Sequence, residues 1–268
     1  MEAMTHSDSV VTPLPSAQAY AQRKGQERLL SIASGKGGVG KTWLSITLAH
    51  CLAQRGQRIL LFDGDLGLAN IDVQLGLNPD MDLVGALSTG GSLKEAATAV
   101  PETGFDVLVG RSGASSLAGL SKDALVSLTQ DLTALAFDYD RVLLDLGAGI
   151  DSVVRHMAGT ARTCLVVATD EPTSLTDAYA FMKLSWRENP EADLRVVINM
   201  AENRREGERT YATLKKACAS FLLREPPLAG VIRRDKAIKD AIRHQSPTLT
   251  RYPSCSAAAD VEALAAEL

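Results

Sequence analysis

From Leu29 onward, short apolar runs alternate with stretches whose apolar residues recur every three or four positions. LLSIAS (29–34), RILLFD (58–63), FDVLVG (105–110), RVLLDL (141–146), TCLVVAT (163–169) and LRVVINM (194–200) read as strands, with LAGVI (228–232) as the last of them. Most are continuously apolar rather than alternating, as strands must be when both faces of a parallel sheet are covered. Between them the spacing predicts helices over about 41–54, 173–187, 207–223, 235–244 and 256–267, with Gly56 placed to end the first. Leu125, Leu128, Leu132 and Leu135 share one face of a further helix, and Ser92 with Glu95 forms a capping box for a short one. Strands alternating with helices imply an α/β fold with a doubly wound, mainly parallel sheet and right-handed crossovers. Residues 1–28 are polar, carry Pro13 and Pro15, and read as a flexible arm ahead of a single domain over 29–268.

The first strand runs straight into Gly35-Lys36-Gly37-Gly38-Val39-Gly40-Lys41-Thr42, which matches G-x-x-x-x-G-K-[ST] between a buried strand and a helix N-terminus. Glycines there let backbone N–H groups converge on phosphate oxygens, and the helix dipole favours the anion. Lys41 supplies a point charge to the β- and γ-phosphates, and the Thr42 hydroxyl can ligate Mg²⁺. Such a loop needs a metal-binding carboxylate on a neighbouring strand end. Asp145 closes RVLLD, and Asp63 and Asp65 close the second strand at the same edge.

Composition narrows the picture mainly by exclusion. With 46% hydrophobic and 22% charged residues the chain reads as globular, and a net charge of −4 argues against bulk binding to nucleic acid. Four cysteines and four histidines are scattered without a C-x-x-C pair, so neither a zinc set nor a disulfide framework is expected. No apolar run reaches the length of a membrane span, and the first residues lack the pattern of a secretory signal. A cytoplasmic protein is expected.

SGKGGVGKT, with its second lysine Lys36, resembles the deviant Walker A motif of the MinD/ParA family of P-loop ATPases. DGDLGLANIDVQLGL (63–77), RSG (111–113), LLDLGAGI (143–150) and TDEPTSLTDAYA (169–180) resemble its FlhG/FleN branch of flagellar-number regulators. The resemblance implies an ATP-dependent homodimer in which Lys36 reaches the partner's phosphates and Asp65 orients the attacking water. It also implies a second switch at and after Asp145 and an adenine contact from Asn199. No N-K-x-D guanine signature follows Asn199, which favours ATP, with Mg²⁺, over GTP.

The implied function is a slow, dimer-dependent ATPase switch regulating flagellar number and placement. Its partners would be an FlhF-like GTPase and a flagellar transcriptional activator, with recruitment to the cell pole or membrane through a partner. Ala17-Gln18-Ala19 with Arg23 faintly resembles the D-Q-A-x-x-L-R motif that stimulates that GTPase. The alternatives are a ParA-type DNA-partitioning ATPase and another MinD-like positioning ATPase. For the former, Lys236, Lys239 and Arg243 on one helix face offer a candidate surface, otherwise read as a solvated face or a protein contact. The tail SAAADVEALAAEL is acidic and alanine-rich, so it is expected to pack on the domain rather than bind a bilayer directly. Trp43 is expected to pack on the sheet, and Cys164 and Cys218 in the core.

Overall fold

A computed structural model describes residues 16–65, 70–78, 91–110 and 121–268. The strands are β1 (Leu29–Ser34), β2 (Ile59–Gly64), β3 (Thr98–Ala99), β4 (Asp106–Leu108), β5 (Arg141–Ala148), β6 (Thr163–Ala168), β7 (Asp193–Ala201) and β8 (Leu228–Arg233). They form one sheet in the order β3-β4-β2-β5-β1-β6-β7-β8, parallel throughout except for β3, which runs antiparallel along β4. β3 has no counterpart in the sequence reading, since two residues are too few to show an alternation.

Both faces are covered, which explains the unbroken apolar strands. Leu29, Ala33, Phe62, Leu144 and Val166 point to one face. They meet α4 (Lys122–Leu135), α5 (Ser152–Thr160), α6 (Pro172–Glu188) and α7 (Arg204–Leu222). Leu30, Ile32, Leu61, Leu143 and Leu165 point to the other, toward α2 (Lys41–Gln54), α3 (Ile71–Leu75) and α10 (Ser256–Ala266). α2 is buried on nearly every side because α10 lies on it from outside. Trp43 belongs to this second core, and its Nε1 donates to Thr248 Oγ1 (2.8 Å) in the short helix α9 (Thr248–Arg251). Cys164 and Cys218 are buried in the first core.

The C-terminal helix packs on α2 and β8 with Ala257, Val261 and Leu264 inward, and Asp260 pairs with Arg233 (2.8 Å). α8 (Lys236–Arg243) precedes α9 and leaves its cationic side outward.

Two local expectations change. Within the stretch read as a flexible arm, Ala17–Gln26 forms a helix, α1, packed against α4. Its alanines, glutamines and basic residues favour a helix without giving the apolar stripe that would announce one. Residues 1–15 lie outside the described residues. The Ser92–Glu95 box closes through reciprocal bonds (3.4 and 3.3 Å), but on a single turn at 93–96 rather than a helix. The 111–113 segment also lies outside the described residues, as do 66–69. Among the described residues no helix is long and apolar enough to cross a membrane.

Candidate nucleotide and metal site

The glycine-rich loop joins β1 to α2 at the carboxyl edge of the sheet, between the ends of β5 and β6. Gly40, at φ 82°, ends the loop and caps α2, leaving that helix's first N–H groups free for an anion. A Cβ on Gly40 would stand 2.5 Å from Asn199 Nδ2, and one on Gly35 would stand 2.3 Å from the Asp177 backbone. The loop is therefore held between two other elements.

Asn199 contributes directly to this hold. It is buried at the end of β7, its Nδ2 donates to the Val39 carbonyl (2.8 Å), and its Oδ1 accepts from Met200 N–H (2.9 Å). Its amide fastens the loop, a role distinct from the adenine contact expected of it.

Lys41 is buried at the start of α2, and across from it β5 presents Asp145, 1% exposed. Ser45 Oγ donates to Asp145 Oδ1 (2.9 Å), whereas Oδ2 is buried with no hydrogen-bond partner. Burial pushes the Asp145 carboxyl above the ordinary range, opposed by the Lys41 ammonium and by the Thr42 and Ser45 hydroxyls. An orphaned carboxylate oxygen beside a lysine and a threonine hydroxyl suits a hard, oxygen-seeking cation, so Asp145 and Thr42 would hold Mg²⁺.

Asp63 sits beside Asp145 in register on the adjacent strand. Its oxygens are already engaged: Oδ1 accepts from Asp65 N–H, and Oδ2 from Asn70 and Ile71 N–H, each at 3.2 Å. These contacts differ from the metal role expected of Asp63. They tie down both ends of the segment after β2 and set Asp65, whose carboxylate faces Gly147 at the end of β5.

Burial first, then the neighbouring Asp145, pushes the Asp63 carboxyl up to about 7, against the backbone N–H groups that favour its charge. A carboxyl raised in the folded state holds a proton that the unfolded chain has released. Its stability contribution is therefore full below about pH 4 and lost as pH rises through about 7. The nucleotide-free protein is expected to melt at progressively lower temperature between about pH 4 and 7. Asp63→Asn should reduce that slope while lowering stability overall, because Nδ2 cannot accept from Asn70 and Ile71. Thermal melts across this range decide it; an unchanged slope in the variant assigns the titration elsewhere.

Lys36 extends to the end of β6, where it ion-pairs with Glu171 and donates to Thr173 Oγ1 (2.7 Å). The pairing holds the Glu171 carboxyl below the ordinary range. The second lysine is thus tethered within its own chain at the rim of the site. Ser45, Glu171 and Thr173 were absent from the sequence-based candidates. Ser45 lies one helical turn after Lys41, a spacing that could have placed it on Asp145; the other two carry no comparable signal.

Lys236, Lys239 and Arg243 are exposed and unpaired, while Asp240 on the same helix pairs with Arg251 (3.1 Å).

A model of the CobQ/CobB/MinD/ParA nucleotide binding domain matches residues 30–248. The antiactivator FleN of Pseudomonas aeruginosa is 35% identical over 238 residues, covering 89% of this chain and 85% of its own. The flagellum site-determining protein YlxH of Helicobacter pylori is 30% identical, covering 85% and 77%. The cell division ATPase MinD of Pyrococcus furiosus superposes with a TM-score of 0.74 at 25% identity, covering 90% of this chain and 98% of that one.

Proposed function

The chain belongs to the CobQ/CobB/MinD/ParA nucleotide-binding family, and on that footing we propose that it is an ATP-dependent dimerising switch, a slow Mg-dependent ATPase that regulates flagellar number and placement. The similarity to FleN and YlxH supports the flagellar role. The observation that carries the ATPase is the convergence, on one loop, of buried Lys41, Thr42 and the unsatisfied Asp145 Oδ2.

In this reading Gly35 to Thr42 cradle the phosphates, and Lys41 charges the β- and γ-oxygens. Thr42 and Asp145 would hold Mg²⁺, which when bound neutralises charge developing on the phosphates. Asp63 acts through Asp65 by anchoring its backbone, and Asp65 orients the attacking water. Lys36 leaves Glu171 and Thr173 only when a second chain brings phosphates within reach, so its cation acts in trans. Asn199 positions the loop first, and its second amide hydrogen remains for adenine.

Proposed partners are an FlhF-like GTPase and a flagellar transcriptional activator, the latter supported by the relative's designation as an antiactivator. Recruitment to the pole would run through such a partner. Burial of the apolar side of α10 supports the view that the tail does not grip a bilayer directly. A DNA-partitioning role is the alternative, favoured by the unpaired face of Lys236, Lys239 and Arg243.

Static light scattering of the purified protein tests the central reading: a monomer with ADP and a dimer with ATP and Mg²⁺. Flagellar counts in a strain lacking the protein should return to normal on its re-expression. A monomer at saturating ATP would sink the dimer model, and ATP-dependent duplex binding with unaltered flagella would favour partitioning.

A further inference from the structure

We infer that the carboxy-terminal tip of α7 is a docking surface for a protein presenting an apolar pocket with a carboxylate rim. The inference rests on the proposed function for its bivalency and for its flagellar readout, whereas the crosslinking result judges the tip by itself. Phe221 is 77% exposed and Leu223 89%, the two most exposed large apolar side chains among the described residues. Leu223 also stands at φ 56°, a left-handed conformation that glycine or asparagine adopts far more readily. Two unfavourable choices therefore coincide at one spot, although Asn at 223 would relieve both. Leu223 caps the helix through its backbone alone, and neither side chain packs on the core, whereas Leu222 between them does. Strain and apolar exposure held together on a rigid element point to a contact made elsewhere.

The platform beneath is stiff. Arg224 donates its backbone N–H to the Cys218 carbonyl (3.5 Å), and its guanidinium lies 5.5 Å over the Trp186 ring. Trp186 Nε1 donates to the Ala192 carbonyl (3.0 Å). An exposed phenylalanine beside a stacked arginine matches the aromatic- and arginine-enriched composition of interface cores.

Charge then selects the partner. Lys215–Glu225 (2.9 Å) and Arg155–Glu188 (2.6 Å) cancel in pairs. Among the described residues Arg224, stacked on Trp186, carries no ion pair, and neither do Arg187 next to that tryptophan in the chain nor Lys216 earlier on α7. The surplus is positive, so the complementary rim is acidic.

Placement keeps the tip available in either nucleotide state. α7 leaves the carboxyl edge of the sheet after Ala201 and delivers Phe221 to the opposite edge, where β8 begins. A dimer closing over the two glycine-rich loops leaves both tips outward. The dimer then offers two anchors to a multivalent partner, which raises avidity without any new contact.

The test uses the full chain. Phe221→Ser/Leu223→Asn should melt at or above the wild-type temperature, dimerise with ATP and release phosphate at the wild-type rate, yet fail to restore flagellar number in cells. A photo-crosslinking amino acid at position 221 should form adducts on a partner's apolar residues flanked by Asp or Glu. Arg224→Glu should cut their yield several-fold. Restoration of flagellar number by the double variant overturns the proposal, as does the absence of adducts or their confinement to a second copy of this chain. Failure of the wild-type protein itself to dimerise would instead indict the switch, leaving the crosslinking result to judge the tip.

Discussion

Lys41→Ala is expected to abolish tight ATP binding. Lys41 is 8% exposed, so its ammonium would meet phosphate oxygens with little screening by water. Charged hydrogen bonds contribute about 1.5–3 kcal/mol each, and two lost contacts weaken affinity on the order of 10²–10⁴-fold. A second effect runs the same way. Lys41 is the main group opposing the burial-driven rise at Asp145, so its removal pushes that carboxyl further up and makes it a poorer metal ligand. Titration calorimetry with ATP and Mg²⁺ measures the loss. An affinity within a few-fold of wild type would remove Lys41 from the phosphate site.

Asp65→Ala is expected to separate binding from turnover. Asp65 makes its structural contact through its backbone N–H, which donates to Asp63 Oδ1 (3.2 Å), and alanine keeps that bond. Its carboxylate faces Gly147 and, among the described residues, forms no hydrogen bond or ion pair with the glycine-rich loop, so ATP affinity should hold. A residue that positions or deprotonates the attacking water typically contributes 10²–10⁴-fold, so phosphate release should fall by about that factor. The ATP-bound dimer then accumulates, and the Lys36–Glu171 pair should open as Lys36 turns to the partner's phosphates. Phosphate release and light scattering on one sample give both numbers. Parallel loss of binding and turnover would contradict the role of Asp65.

These variants divide what a linear reading could and could not supply. Gly35–Thr42 and its place between strand and helix were apparent because glycine spacing, the lysine and the flanking periodicity are properties of neighbouring residues. The strand-end carboxylates were apparent as a set, since each closes an apolar run. Their division of labour was not. Asp63 and Asp145 look alike in the chain, yet one spends its oxygens on three backbone N–H groups and the other keeps Oδ2 free.

The sequence by itself determined the alternation of strands and helices, the parallel sheet covered on both faces, the phosphate loop and the family, because each rests on short-range pattern and residue chemistry. Tertiary structure alone decided that Asn199 fastens Val39, 160 positions earlier, that Glu171 tethers Lys36 across 135, and that α1 forms where no apolar stripe marks it. It also left Phe221 and Leu223 in solvent on a helix whose periodicity would bury any apolar residue on the right face. Hydrogen-bond partners and exposure depend on which elements the sheet order brings together, and that order is a property of the packed core rather than of any local window.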